Sequence, residues 1–288
     1  MTEKEISFKK VFLFLASFFL LAQFFGLFVC FNLSQKISKG ELRVKKIDAE
    51  EFSPLTFLIA VFVLSVFLWF LTKFSFKRVN FFKALFFVTI FFGFELFLEA
   101  VGISPFFAIF LTLALIFLWL KKPYLLLHNF LLISAIAGVG AVLGITTSSQ
   151  FVLSLFFLLS IYDLISVLAT RHLVKVAEAM IESRAVLGVI VPQNFSFFFK
   201  KLSGLSLEKG KRNFFVLGAG DLIFPLFLSS SLYQEKGALG FLLVSLFSLF
   251  GLFLCFFTFL RFKKRPLPAL PFLFVFSLLA FLLIKVLV

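Results

Sequence analysis

LGAGDLIFPLFL, residues 217–228, decides how this chain is read. The stretch is apolar enough to sit in a lipid bilayer, yet Asp221 lies inside it. A carboxylate in hydrocarbon costs several kcal/mol and is rarely idle. The question is what setting holds Asp221 and what the acid does there.

The setting follows from composition. The sequence has 288 residues, of which 62% are hydrophobic, 15% are charged and 52 are Phe. A soluble domain of this length could not hide so much apolar surface. Runs of about 20 apolar residues recur, each long enough to cross a bilayer. In lipid the backbone must satisfy its own hydrogen bonds, so each span is expected to be a helix. The expected fold class is all-α integral membrane. Nine spans are expected, over 11–31, 54–72, 81–99, 105–120, 124–145, 150–170, 213–233, 238–260 and 266–287. They form a single polytopic domain over 1–288, with the first five, within 1–145, as scaffold. Pro54, Pro105, Pro123 and Pro266 sit at span entrances, where a helix tolerates proline. No cleavable signal peptide is expected, because the first span is too long and no small-residue cleavage site follows it.

A net charge of +14 raises the prospect of nucleic acid, but its distribution points to a membrane. Alternating loops place 21 of the 28 Lys and Arg residues on one side of the bilayer and 7 on the other. The positive-inside rule then puts the N-terminus in the cytoplasm and the C-terminus outside. The Phe content reads as lipid-facing bulk, not as a base-stacking platform.

Cys30 and Cys255 lie within spans and read as small buried apolar residues. His128 and His172 are the two histidines, and no H-E-x-x-H occurs, so no metal or other cofactor is expected. The G-x-S candidates at 102–104 and 204–206 lie in short polar connections, away from a plausible serine-protease arrangement.

Four acids remain inside spans: Glu95, Glu99, Asp163 and Asp221. Glu95 and Glu99 are one turn apart near a span end and read as carboxylates reaching for the interface. Asp163 precedes Arg171 by eight residues on an inward-running span, and Asp221 follows Arg212 by nine on an outward-running one. At the helical rise both lie about 12–14 Å from the cytoplasmic edge. Two close acids cannot both ionise cheaply, so the pair shares a proton. Its ionised member can take a proton from water while its protonated member donates to a scissile carbonyl. On depth alone, structural acids or a transporter's proton path stay open.

The surrounding residues narrow this. SIYDLISVLA carries Tyr162 and Asp163, LGAGDLIF carries Gly218, Gly220 and Asp221 as G-x-G-D, and PLPALP carries Pro268, Ala269 and Leu270. This trio, in this order and in these spans, resembles the presenilin and signal peptide peptidase family of G-x-G-D intramembrane aspartyl proteases. LVKVAEAMIESR, residues 173–184, resembles the helix that follows the sixth span in presenilins. The N-in, C-out orientation is presenilin-like, as in a microbial homologue. The resemblance implies that Asp163 and Asp221 are catalytic. It also implies that the Pro268, Ala269 and Leu270 segment lines the site and holds substrate backbone. Tyr162 is expected to be a packing or hydrogen-bonding neighbour of the pair and not a catalyst. Glycines at 218 and 220 would let a neighbouring backbone approach and would loosen a helix before Asp221.

The loop 171–212 is the longest. Arg171, Lys175, Glu178 and Glu182 recur at helical spacing, which predicts an amphipathic helix on the cytoplasmic surface. VLGVIVPQNFSFFF, residues 186–199, is rich in β-branched and aromatic residues and could either offer a strand edge to an unwound substrate or form a loosely ordered hydrophobic loop. The expectation is therefore a protease acting on transmembrane helices of substrate proteins within the lipid bilayer, using water and no metal. The alternatives are a proton-coupled transporter or channel using the same acids, and a non-catalytic membrane chaperone. No nucleic acid partner is expected, the short loops suggest a chain able to act alone, and a homo-oligomer is left open. Cysteines introduced at Ser38 and Lys264, in a Cys30→Ala, Cys255→Ala background, should label from opposite sides of the membrane. Impermeant reagent outside should reach the first, and the second only after permeabilisation; labelling of both from one side would break the span count.

Overall fold

The structure, a computed structural model, describes residues 3–42, 55–56, 59, 62–63, 75–192, 195–202, 214–261 and 267–287. Helix α1 covers Glu3–Ser38, α2 Ser75–Val101, α3 Pro105–Lys121 and α4 Leu125–Thr146. Helix α5, Ser149–Leu164, runs on into a π-helical turn, Ile165–Ala169, and α6 covers His172–Ser183. Strand β1, Gly188–Pro192, pairs antiparallel with β2, Phe214–Gly218, and α7, Ala219–Arg261, and α8, Leu270–Leu287, complete the chain. Among the described residues five helices are long and apolar enough to cross a bilayer, and Pro105–Lys121 and Leu270–Val286 are shorter apolar helices. The expected second span, 54–72, lies largely outside the described residues. The other expected spans coincide with helices, with two corrections: residues 214–218 of the expected seventh span are strand, its helix beginning at Ala219, and residues 267–269 of the expected ninth are not helical, its helix beginning at Leu270.

Helix α7 has 43 residues, about 65 Å at the helical rise and twice a bilayer's hydrocarbon core. Gly237 breaks it, with φ 63° and ψ −157°, a conformation glycine adopts freely. The two limbs then fold back on each other. Ser229 and Ser245, each eight residues from the break, both donate to Gln23 Oε1 of α1, at 3.2 and 3.0 Å. One side chain can bridge them only if the limbs run side by side and antiparallel.

Helix α4 lies at the centre, with α1, α2, α7 and β1 packed around it. Small residues let the backbones approach, as apolar solvent provides little other drive for helix association. A Cβ built at Gly138 would run into the Gly93 carbonyl of α2 and lie 2.7 Å from the Phe97 nitrogen. One at Gly144 would sit 2.7 Å from the Phe227 carbonyl of α7. The expectation that Phe is lipid-facing bulk holds for Phe24, Phe106, Phe107 and Phe110, which are exposed. Phe19, Phe82, Phe86, Phe94, Phe156 and Phe241 instead fill the core. Cys30 and Cys255 are buried free thiols. Replacing Gly138 by Val should push α2 off α4 and destabilise the protein by about 1–3 kcal/mol or more, read as a lower melting temperature in detergent. A variant as stable as wild type would show that the helices do not meet there.

Candidate active site

Strand β1 is held from both sides. Toward β2 the register pairs Gly188 with Gly218, Ile190 with Val216 and Pro192 with Phe214. Away from β2, Asn129 of α4 donates its Nδ2 to the Ile190 carbonyl at 2.8 Å and accepts the Ile190 N–H on Oδ1 at 3.0 Å. His128 Nε2 meets the Gly188 carbonyl at 3.3 Å, and its ring stacks on Phe86 at 4.9 Å. The buried amide of Asn129 thus takes the place of a neighbouring strand at Ile190. Alternation along an antiparallel pair then turns the outward backbone groups of β2 at Phe214, Val216 and Gly218 away from β1. Among the described residues the sheet has two strands, so this β2 edge carries no third. The segment 186–199 was expected to offer a strand edge. It does contain a strand, but α4 closes the edge of β1, and among the described residues the edge without a strand partner belongs to β2.

Strand β2 leads directly into α7. Gly218 ends the strand and Asp221 stands in the first turn of the helix, so the glycines mark a strand–helix junction and not a loosened point within a helix. The close backbone approach expected at these glycines is not found among the described residues. A Cβ at Gly220 would meet only the Phe224 ring edge, at 3.9 Å, and one at Gly218 would lie 3.2 Å from Asp221 Oδ2. Gly218 therefore keeps the space beside the Asp221 carboxyl clear.

Asp163 is buried near the end of α5. The Leu270 N–H donates to its Oδ2 at 3.3 Å. Residues 267–269 are not helical and α8 starts at Leu270, so this N–H belongs to the first turn, where it lacks a helical partner. Pro268, Ala269 and Leu270 thus lead up to the Asp163 carboxyl, while Pro266 lies outside the described residues. Asp163 is close enough to Asp221 to act on it electrostatically, and Cys255 of the second α7 limb is within electrostatic reach of both.

Tyr162 points elsewhere. Its hydroxyl bonds to His172 Nε2 at 2.8 Å, and Thr170 Oγ1 bonds to His172 Nδ1 at 2.6 Å. Partial burial holds the His172 pKa below 6.5, which favours the neutral ring with one donor and one acceptor nitrogen. The π-turn lies between Asp163 and this histidine; Thr170 N–H donates to the Ile165 carbonyl five residues back, at 3.1 Å. Such turns often mark functional sites. The predicted amphipathic helix is α6; Val176, Ala179 and Ile181 are buried, Arg171, Lys175 and Glu182 are exposed, and the helix packs on α2. Glu95 and Glu99 are half-buried on α2, away from the carboxyl pair in the sequence, and the Glu99 carbonyl accepts Lys36 Nζ at 3.1 Å.

Asp163 and Asp221 thus stand on neighbouring apolar helices of one fold, with the start of α8 against Asp163. Two solved structures, both of a presenilin family intramembrane aspartate protease, share that fold. The form in space group P2 aligns with TM-score 0.61 and 23% identity over 95% of this chain and 96% of that one. The C222 form aligns with TM-score 0.57 and 22% identity over 94% and 95%. Compared with curated proteins, the chain finds no match. The family model described as signal-peptide peptidase, presenilin aspartyl protease matches residues 16–288. The chain belongs to that family and is an integral, multi-pass membrane protease of the presenilin type.

Sequence reading missed Asn129, although a polar residue inside LLLHNFLLIS was a visible signal. Truncating it to Ala leaves the Ile190 N–H and carbonyl buried without partners, at about 1–3 kcal/mol each. Amide exchange should therefore accelerate in residues 188–192 and 214–218 while α1 stays protected; unchanged protection of both strands would remove Asn129 as their anchor.

Proposed function

We propose that Asp163 and Asp221 are the carboxyl pair that hydrolyses peptide bonds within transmembrane segments of substrate proteins. The observation that carries this reading is the Leu270 N–H on Asp163 Oδ2, which joins the proline-bounded segment to one acid while that acid acts on the other. One carboxyl is ionised and takes a proton from the attacking water. The other is protonated and donates to the scissile carbonyl oxygen, giving a tetrahedral diol. The diol collapses to a carboxyl and an amine, with one proton passing to the leaving nitrogen, so water and an amide become an acid and an amine. The substrate helix must unwind to expose its amide. The open β2 edge at Phe214, Val216 and Gly218 offers backbone groups to an extended substrate, in the manner of strand addition. The topology in this reading has nine spans, with the N-terminus in the cytoplasm and the C-terminus outside, and active-site residues in spans six to nine, within 150–288.

The test is mass spectrometry of a reconstituted digestion of a model transmembrane peptide. Asp163→Asn and Asp221→Asn should each lower cleavage by about three orders of magnitude or more, and the double variant should be no worse, because the two act as a unit. The wild-type rate should rise and then fall with pH, its limbs belonging to the pair. Substantial cleavage by Asp163→Asn would end the two-carboxylate mechanism. Leu270→Arg should insert and fold yet lose cleavage, because a bulky charge would fill the space beside Asp163 where substrate backbone must lie. Near-normal cleavage would remove Leu270 from the site.

A further inference from the structure

The helices that carry Asp163 and Asp221 are tied together at their far ends. Ser148, the residue before α5, makes no side-chain cap bond. The cap comes from another helix. Glu235, at the end of the first α7 limb, accepts the Ser149 hydroxyl on Oε2 at 2.9 Å and the Ser149 N–H on Oε1 at 3.4 Å. A carboxylate suits this place, because the N-terminus of a helix is electropositive. Beside it, Gln234 donates to Ser34 Oγ of α1 at 3.1 Å. The break at Gly237 follows two residues later.

The spacing gives the contact its meaning. Asp163 stands 14 residues after Ser149, and Asp221 stands 14 residues before Glu235. At the helical rise each carboxylate is about 21 Å from the tie. Two antiparallel helices pinned at one end, with arms of equal length, bring the ends of those arms level. The cytoplasmic ends provide no such ruler. Residues 214–218 are extended, so counting helical rise from Arg212 does not give the depth of Asp221.

We infer that Glu235 is a positioning residue: by holding Ser149 it sets the register of α5 against α7 and keeps Asp163 and Asp221 at one level. The inference rests on the carboxyl pair proposed above. Without the tie, a slip of one residue moves a carboxyl by about 1.5 Å and turns it by about 100°. A displacement of about 1 Å can cost roughly a hundredfold in rate.

The test uses the full chain in lipid nanodiscs, with nitroxides at Leu164 and Val216, both exposed, in a Cys30→Ala, Cys255→Ala background. Wild type should give a narrow distance distribution. Glu235→Ala should broaden or shift it. Glu235→Gln should not, because its amide oxygen still accepts the Ser149 N–H and its NH2 donates to the hydroxyl. In unlabelled protein, kcat on a model transmembrane peptide should fall about tenfold or more in Glu235→Ala, with KM within about twofold, and Glu235→Gln should retain it. Should Glu235→Ala fail to fold, Ser149→Ala removes one of the two bonds and should produce a smaller effect in the same direction. Unchanged distances and kcat in both truncations, or Glu235→Gln behaving as Glu235→Ala, would overturn the inference. A wild type without proteolysis would instead defeat the carboxyl-pair reading, and the distance measurement would still report on the tie.

Discussion

A buried amide side chain anchors the two-stranded sheet to the central helix. Asn129 gives both of its polar atoms to Ile190, and so fixes β1 against the central helix. Unpaired backbone in a dry interior costs about 1–3 kcal/mol per group, so an extended segment among apolar helices needs such a partner. Once β1 is fixed, its register fixes β2, and β2 fixes where α7 begins. The position of Asp221 is therefore inherited, through two strands, from a residue of α4.

Asp163 reaches its place by a different route. It ends a regular helix whose far end is held by Glu235, and its carboxyl meets the first turn of α8. Past it the backbone widens into a π-turn, and Tyr162 is held by His172. A free helix start supplies the N–H that Asp163 accepts, and this is why the prolines matter. They keep residues before Leu270 out of the helix, so that its N–H is left for a side chain.

Elsewhere the bundle obeys the economy of a protein in lipid. Backbones approach at glycine, and buried polar side chains are used sparingly where they join helices. Gln23 ties both limbs of α7 to α1, and Ser248 meets Ser277 across α7 and α8 at 2.7 Å. Such bonds contribute modestly in membranes, since the separated helices also find partners. Their value here is positional, because each selects one register among several that apolar contacts alone would accept.

Local sequence was enough to read the lipid setting, the placement of most helices, the amphipathic α6 and the three segments that carry the acids and the prolines. Those features follow from local apolarity, periodicity and proline, which act over a few residues. It did not separate β2 from α7. Residues 214–233 form one apolar run, and a short apolar run reads the same as strand or helix until a partner is known. That partner, β1, is itself held from 61 residues away. Nor did it show which Phe residues face lipid, since in a bilayer both core and surface are apolar. The matched spacing of the two acids from nearby arginines did not give their level, because residues 214–218 are strand and not helix. The tertiary structure replaced that ruler with another, equal arms from the contact of Glu235 with Ser149. Register is a relation between helices, and the local pattern along any one of them does not contain it.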